Sequence, residues 1–204
     1  MAVARLALDP NDDAHERMLM AIYCTLTGDA TWPPRYGTHW EVVGFQGNDP
    51  ATDLRGVGML ALLQVLHFQK TQPKLLASIY RLSRGERDFP FMTVSITMTQ
   101  LSLQALRSGA LTRLANRSEV KGGEHVYETV HAFHHACYLY MYTAWQQRSL
   151  SIVDFGFLKK EIGQLIHRKP AMLLRALHAH GTTPGAATQG GGKGGKSSSF
   201  VEFG

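Results

Sequence analysis

An all-α fold, one multi-helix bundle-like domain, is what this sequence predicts. Three observations predict it. Helix start and stop signals recur along the chain, apolar residues repeat at spacings of three and four, and no strand pair, hairpin turn or fixed-period repeat stands out. A chain of 204 residues with 44% hydrophobic content can bury one sizeable core. The domain is expected over residues 13–180, after an N-terminal extension (1–12) and before a Gly/Ser/Lys-rich tail (181–204) too poor in apolar residues to fold.

The elements follow in order. Asp12 and Asp13 stand where carboxylates suit a helix start, and Met18, Leu19, Ile22, Tyr23 and Leu26 trace one face before Gly28 ends it. From Asp29 to Pro50 the Pro33-Pro34 pair and Gly37, Gly44 and Gly47 predict loop. Thr52 or Asp53 can cap a helix running to about Lys70, with Leu60, Leu63 and Leu66 inward. Pro73 opens another helix through Leu82. The run Thr93–Thr97 has β-branched character, yet the spacing of Phe91, Val94, Met98 and Leu101 favours a helix to Arg107, ended by Gly109. A long helix is expected from about Glu124 to Gln147. Ser151 and Asp154 resemble a capping box for one reaching about His167, and Pro170 begins a last short helix.

Composition narrows the function classes. Cys24 and Cys137 lie too far apart to suggest a disulfide framework or a metal finger, so free thiols in a reducing compartment are expected. The apolar run Val57–Phe68 is too short to span a bilayer and is broken by Gln64 and His67. The N-terminus lacks a secretory pattern and a myristoylation glycine, and the C-terminus lacks a prenylation cysteine, so a soluble cytoplasmic protein is expected. The net charge of +5 divides into −4 over residues 1–50 and +9 over 51–204. The basic part suits an acidic partner surface or an anionic membrane, and an ordinary solvated surface accounts for it equally. Its cations are dispersed without a nucleic-acid-binding pattern, so no nucleic acid is expected.

Between Trp40 and Phe68 the sequence WEVVGFQGNDPATDLRGVGMLALLQVLHF sets Arg55 beside Gly56 and close to Gly58, in a turn that opens into an apolar helix. Glycines there leave room for another molecule's backbone. A guanidinium is always charged and forks onto phosphate oxygens. The residues alone leave two readings. Arg55 is either an arginine offered to a phosphoryl-transfer partner or a brace paired with Asp53 or Glu41, and the brace is the commoner use of such a residue.

The same stretch resembles the signature of the ELMO domain, and within it the ELMOD branch. Trp40, Gly44-Phe45-Gln46-Gly47, Pro50, Thr52-Asp53, Arg55-Gly56, Gly58 and Leu62 through Phe68 carry the resemblance, which extends more loosely from Ala14 to about His180. Leu54 stands where that family usually has Phe, Ala61 where it has Gly, and His67 where it has Tyr. The resemblance implies a GTPase-activating protein for Arf-like or Arf GTPases in their GTP-bound state, with Arg55 as the catalytic arginine supplied in trans. It implies no cofactor of the chain's own, since GTP and magnesium belong to the partner. It also implies recruitment to membranes or cilia through that partner. Phe45, Gln46, Gly47, Asp53, Gly56 and Gly58 are the expected partner-binding residues. A non-catalytic adaptor, as in the ELMO scaffolds that help activate Rac, is the alternative.

Other candidates have plainer readings. The Gln46 amide either helps orient the attacking water or shapes the loop that presents Arg55, and geometry must decide before chemistry. Trp40 and Phe68 are expected in the core, with Phe45 open between core and interface. Asp53 reads most simply as the cap that sets the direction of Arg55. His131, His134 and His135 have metal-ligand spacing, but no second Glu-x-x-His motif or Cys/His cluster completes a site, so no metal is expected. Gly190–Ser197, GGGKGGKS, matches a phosphate-loop pattern by chance, because it lacks the strand and helix such a loop needs.

Overall fold

A computed structural model describes residues 2–115 and 123–182, and the described residues form helices and turns without a strand. The helices are α1 (Asp13–Thr27), α2 (Pro50–Asp53), α3 (Leu60–Thr71), α4 (Pro73–Ser83), α5 (Phe91–Arg107), α6 (Ala110–Ala115), α7 (Gly123–Gln147), α8 (Phe155–Arg168) and α9 (Pro170–Thr182). Most of the tail, including the Gly190–Ser197 match, lies outside the described residues. α9 runs two residues past the expected domain end.

α7 is the axis of the domain. It packs against α3, α5, α6, α8 and α9 and seals Phe133, Tyr138 and Trp145 from solvent. α5 lies beside it with residues buried on nearly every side. That explains how a threonine-rich stretch stays helical. The hydroxyls of Thr97, Thr99 and Ser102 donate to the carbonyls of Thr93, Ser95 and Met98 one turn back, so these three buried hydroxyls are satisfied within the helix. The Tyr138 hydroxyl donates to Phe91 O and the Trp145 indole to Arg87 O, tying α7 to the start of α5 and the turn before it.

Local signals account for the ends. The Asp12 side chain accepts from Ala14 N, and Gly28 closes α1 at φ 75° with its N–H on Cys24 O. Ser151 and Asp154 form the expected capping box, and a short 3₁₀ turn, Ile152–Asp154, leads into α8. Two cysteines are free, Cys24 half-buried and Cys137 buried, where burial raises the Cys137 thiol far above its ordinary range.

Three departures from the expected elements bear on the site. The loop 29–50 contains a six-residue 3₁₀ helix, Thr38–Val43. The helix expected from Thr52 to Lys70 is in fact three pieces: α2, a 3₁₀ turn Leu54–Gly56, and α3. Its inward face also differs, since Leu60, Ala61, Leu62, Val65 and Phe68 are buried while Leu63 and Leu66 are only partly so. The N-terminal residues are not a free extension. Leu8 is buried, and Leu6 O accepts from Met59 N at 2.9 Å just before α3 begins.

Candidate functional site

The site is built on short elements braced from several sides. Asp49 caps α2, its side chain accepting from Ala51 N at 2.9 Å, and Pro50 takes the first helical position, where no N–H is needed. The guanidinium of Arg35 donates to the same Asp49 carboxylate at 2.9 Å. Asp49 is thus the cap, in place of the expected Thr52 or Asp53. An aspartate directly before proline is a signal the sequence carried.

Leu54, which opens the 3₁₀ turn, and Val57, which follows it, are buried in the core, and Val57 N donates to Leu54 O. With both neighbours anchored inward, Arg55 and Gly56 face solvent. The Arg55 side chain has no hydrogen bond and no ion pair among the described residues. The pairing with Asp53 or Glu41 is absent. Asp53 is committed elsewhere, its carboxylate accepting from Gln46 N at 2.6 Å. Burial raises the Asp53 carboxyl above its usual range against the pull of that N–H, and the nearby Asp49 raises it further.

That bond joins the Gly44–Gly47 loop to the arginine turn. The loop is fastened from beneath as well. Phe45 is only 3% exposed and meets the buried Trp40 edge-to-face, with ring centroids 6.0 Å apart. Phe45 therefore anchors the loop, leaving Gln46 and Gly47 as its exposed residues. Gly44 O accepts both the backbone N–H of Thr93 at 3.0 Å and its hydroxyl at 2.8 Å. Gly44 has φ 89°, and a Cβ there would lie 2.3 Å from Phe91 N, so only glycine lets the loop sit on α5.

Gly58 serves the same purpose on the other side. It is buried at φ 56°, and a Cβ would meet Leu6 O at 2.5 Å. Its missing side chain admits the protein's own N-terminal turn rather than a partner. Gly56 is the exposed glycine beside Arg55.

Two tests follow. Gly44→Ala should cost about 2–4 kcal/mol, from positive φ plus overpacking, read as a lowered urea midpoint. Asp53→Ala should cost only about 1 kcal/mol, because its hydrogen bond is at the surface, whereas Asp53→Asn keeps an acceptor and should retain most of that. Faster amide exchange at Gln46 in the alanine variant alone would mark the lost bond.

The histidines form a separate cluster between α3 and α7. His67 stacks on His131 with centroids 4.3 Å apart, and His135 stacks on Phe68 at 4.2 Å. His134 shares a 3.2 Å hydrogen bond with Ser95, and His67 donates to Glu128 at 3.1 Å. Burial holds His131 down to about 4 and His134 to about 3, and pushes His135 well below the usual range. His67 and His131 lie face to face, whereas His134 and His135 meet edge-to-face with centroids 5.6 Å apart. Among the described residues no three His, Cys, Asp or Glu side chains are grouped to hold a metal ion.

Among the described residues no helix is long and apolar enough to cross a membrane. Comparison with known proteins gives a family match: the profile of the ELMO/CED-12 family covers residues 2–159. The human protein named ELMO domain-containing protein 3 is 39% identical over 184 residues, 88% of this chain and 47% of its own length. Its mouse counterpart is 37% identical over 180 residues, 87% of this chain and 46% of its own. Human ELMO domain-containing protein 2 is 29% identical over 110 residues, 53% of this chain and 38% of its own. The chain spans about half the length of the first two.

Proposed function

This chain belongs to the ELMO/CED-12 family, and on that premise we propose that it is a GTPase-activating protein for Arf-like or Arf GTPases. The partner holds GTP and magnesium and performs the hydrolysis. This chain contributes Arg55, whose planar fork meets the oxygens of the transferring phosphoryl group and offsets the charge that builds there.

The observation that carries the reading is the state of Arg55. Its side chain is exposed and, among the described residues, without a hydrogen-bond or ion-pair partner, on a turn whose neighbours Leu54 and Val57 are buried. A brace would have been engaged with its own chain. A group meant for another molecule has to stand free on a scaffold that costs little to order at docking, because its position is already set. Of the residues expected to bind the partner, Gln46, Gly47 and Gly56 are exposed, and the Asp53 bond to Gln46 N couples the two loops. Gln46 shapes that docking surface, with Phe45 and Gly58 supporting it from inside.

The test is single-turnover GTP hydrolysis across a panel of Arf-family GTPases, with and without this protein. Acceleration of at least one by about 10³-fold is expected. If no GTPase is accelerated while pulldown recovers partners regardless of nucleotide state, the protein is a non-catalytic adaptor and the proposal fails.

A further inference from the structure

The most exposed large apolar side chains among the described residues sit together at the start of α8: Val153 is 80% exposed and Phe157 76%, with Ile152 beside them. Ile152 and Val153 stand on the 3₁₀ turn that leads into α8, and Phe157 lies in the first turn of α8. Nothing about this tip is loose. Just past α7, Ser149 takes φ 53°, Leu150 N donates back to Trp145 O, and the Ser151–Asp154 capping box fixes the turn. A fixed turn that holds valine and phenylalanine in water is an apolar surface awaiting cover.

The face of α8 that carries Phe157 continues as a basic stripe. Phe157, Lys160, Gln164 and Arg168 follow at spacings of three and four and are exposed, while Leu158, Ile162 and Ile166 bury the opposite side. Lys160 Nζ lies 5.9 Å from the centre of the Phe157 ring. At its far end the stripe reaches a hollow of about 490 Å³ lined by Arg113, Arg168, Lys169 and Arg175 and by no acidic side chain. None of these four cations has an ion pair among the described residues. The acid on α8, Glu161, is neutralised by two hydrogen bonds from Arg148, at 2.7 and 2.9 Å.

We propose that α8 is a membrane-docking helix, with Val153 and Phe157 entering the acyl boundary and the Lys160–Arg168 stripe lying on anionic headgroups. Charge complementarity selects this occupant, since Lys160 and Arg168 lead from a narrow apolar tip to Arg113, Lys169 and Arg175 around the hollow, none of them ion-paired among the described residues. Three apolar side chains are too few for a protein interface of about 800 Å² per partner, but they suffice to penetrate a soft surface that the cations hold close. The inference stands apart from the Arg55 reading.

The experiment is co-sedimentation of the whole chain with vesicles of pure phosphatidylcholine and of phosphatidylcholine with about 30% phosphatidylserine. Retention is expected on the anionic vesicles alone, and it should weaken as salt rises. Val153→Ser/Phe157→Ser should lower the partition coefficient by about tenfold or more, and Lys160→Glu/Arg168→Glu by at least about twentyfold. Unchanged circular dichroism shows that these surface variants fold. Equal retention of wild type and both variants overturns the proposal, as does no retention at low salt. A dimer in sedimentation velocity that Val153→Ser/Phe157→Ser converts to monomer, without vesicle binding, would assign the tip to a second copy of the chain and also overturn it.

Discussion

Arg55→Lys is expected to slow stimulated GTP hydrolysis by about 10³-fold or more, while affinity for the GTP-bound partner changes by less than about tenfold. Lysine keeps the charge and loses the fork, so the two roles of the residue separate. Long-range attraction to the phosphates survives in Arg55→Lys. Simultaneous hydrogen bonds to two oxygens, which strengthen as the phosphoryl group transfers, do not. The variant is unusually clean because the Arg55 side chain is exposed and has no ion pair or hydrogen bond among the described residues, so stability should move by no more than about 0.5 kcal/mol. The measurements are single-turnover hydrolysis at saturating activator and equilibrium binding to a GTPase held in its GTP form. Equal rates for wild type and Arg55→Lys would leave the arginine without a catalytic role. Rates that fall only in proportion to affinity would make it a docking residue.

Gln46 provides an internal comparison. Its backbone N–H is held by Asp53, but its side chain faces solvent next to the Arg55 turn. If it only shapes the docking surface, Gln46→Ala should weaken binding and leave the saturated rate within a few-fold of wild type. A loss in the saturated rate comparable to that of Arg55→Lys would instead place the amide at the reacting water.

What the chain reveals in sequence and what it conceals divide along a physical line. Helices with their own caps and one apolar face were legible: α1 between Asp12 and Gly28, and α8 behind its Ser151–Asp154 box; α5, without a side-chain cap, was legible from the spacing of Phe91, Val94, Met98 and Leu101. α6 was missed because Gly109, at φ 74°, reads as a stop and is a joint from which the chain turns straight into another helix. The break between Asp53 and Leu60 was also hidden. Leu60 to Phe68 is apolar on almost every side, so periodicity cannot mark where such a helix begins. The start is set by Leu6, more than fifty positions earlier, whose carbonyl accepts from Met59 N. Asp53 shows the same limit. A cap acts within three residues and can be read locally, whereas its bond to Gln46 N exists only once the loop has folded back. The arginine and its glycines were visible in sequence. Which glycine faces a partner (Gly56) and which faces the protein's own first turn (Gly58) was not.

His131, His134 and His135 are expected to make this domain acid-labile. Each is depressed mainly by burial, and the neighbouring imidazoles lower each further, only partly offset by Glu128 beside His131, the Ser95 bond to His134 and Gln64 beside His135. A histidine whose folded pKa lies below its unfolded value of about 6.5 binds its proton more readily when unfolded. Below pH 6.5 the unfolded state therefore takes up protons the folded state refuses, and stability is lost as pH falls toward about 4. Each such histidine can contribute up to about 1.4 kcal/mol per pH unit. From pH 7 to 5, the fully enclosed His134, held down to about 3, costs about 2 kcal/mol, and His135 and His131 lower stability in the same direction. Against the 5–15 kcal/mol typical of a folded domain that is a substantial loss. Urea midpoints measured across that range should drop steeply. His135→Leu, which keeps an apolar group against Phe68, should flatten the slope, by at most about 1.4 kcal/mol per unit. The same slope in both proteins would mean that His135 takes up its proton inside the folded core, against every contact its ring makes there.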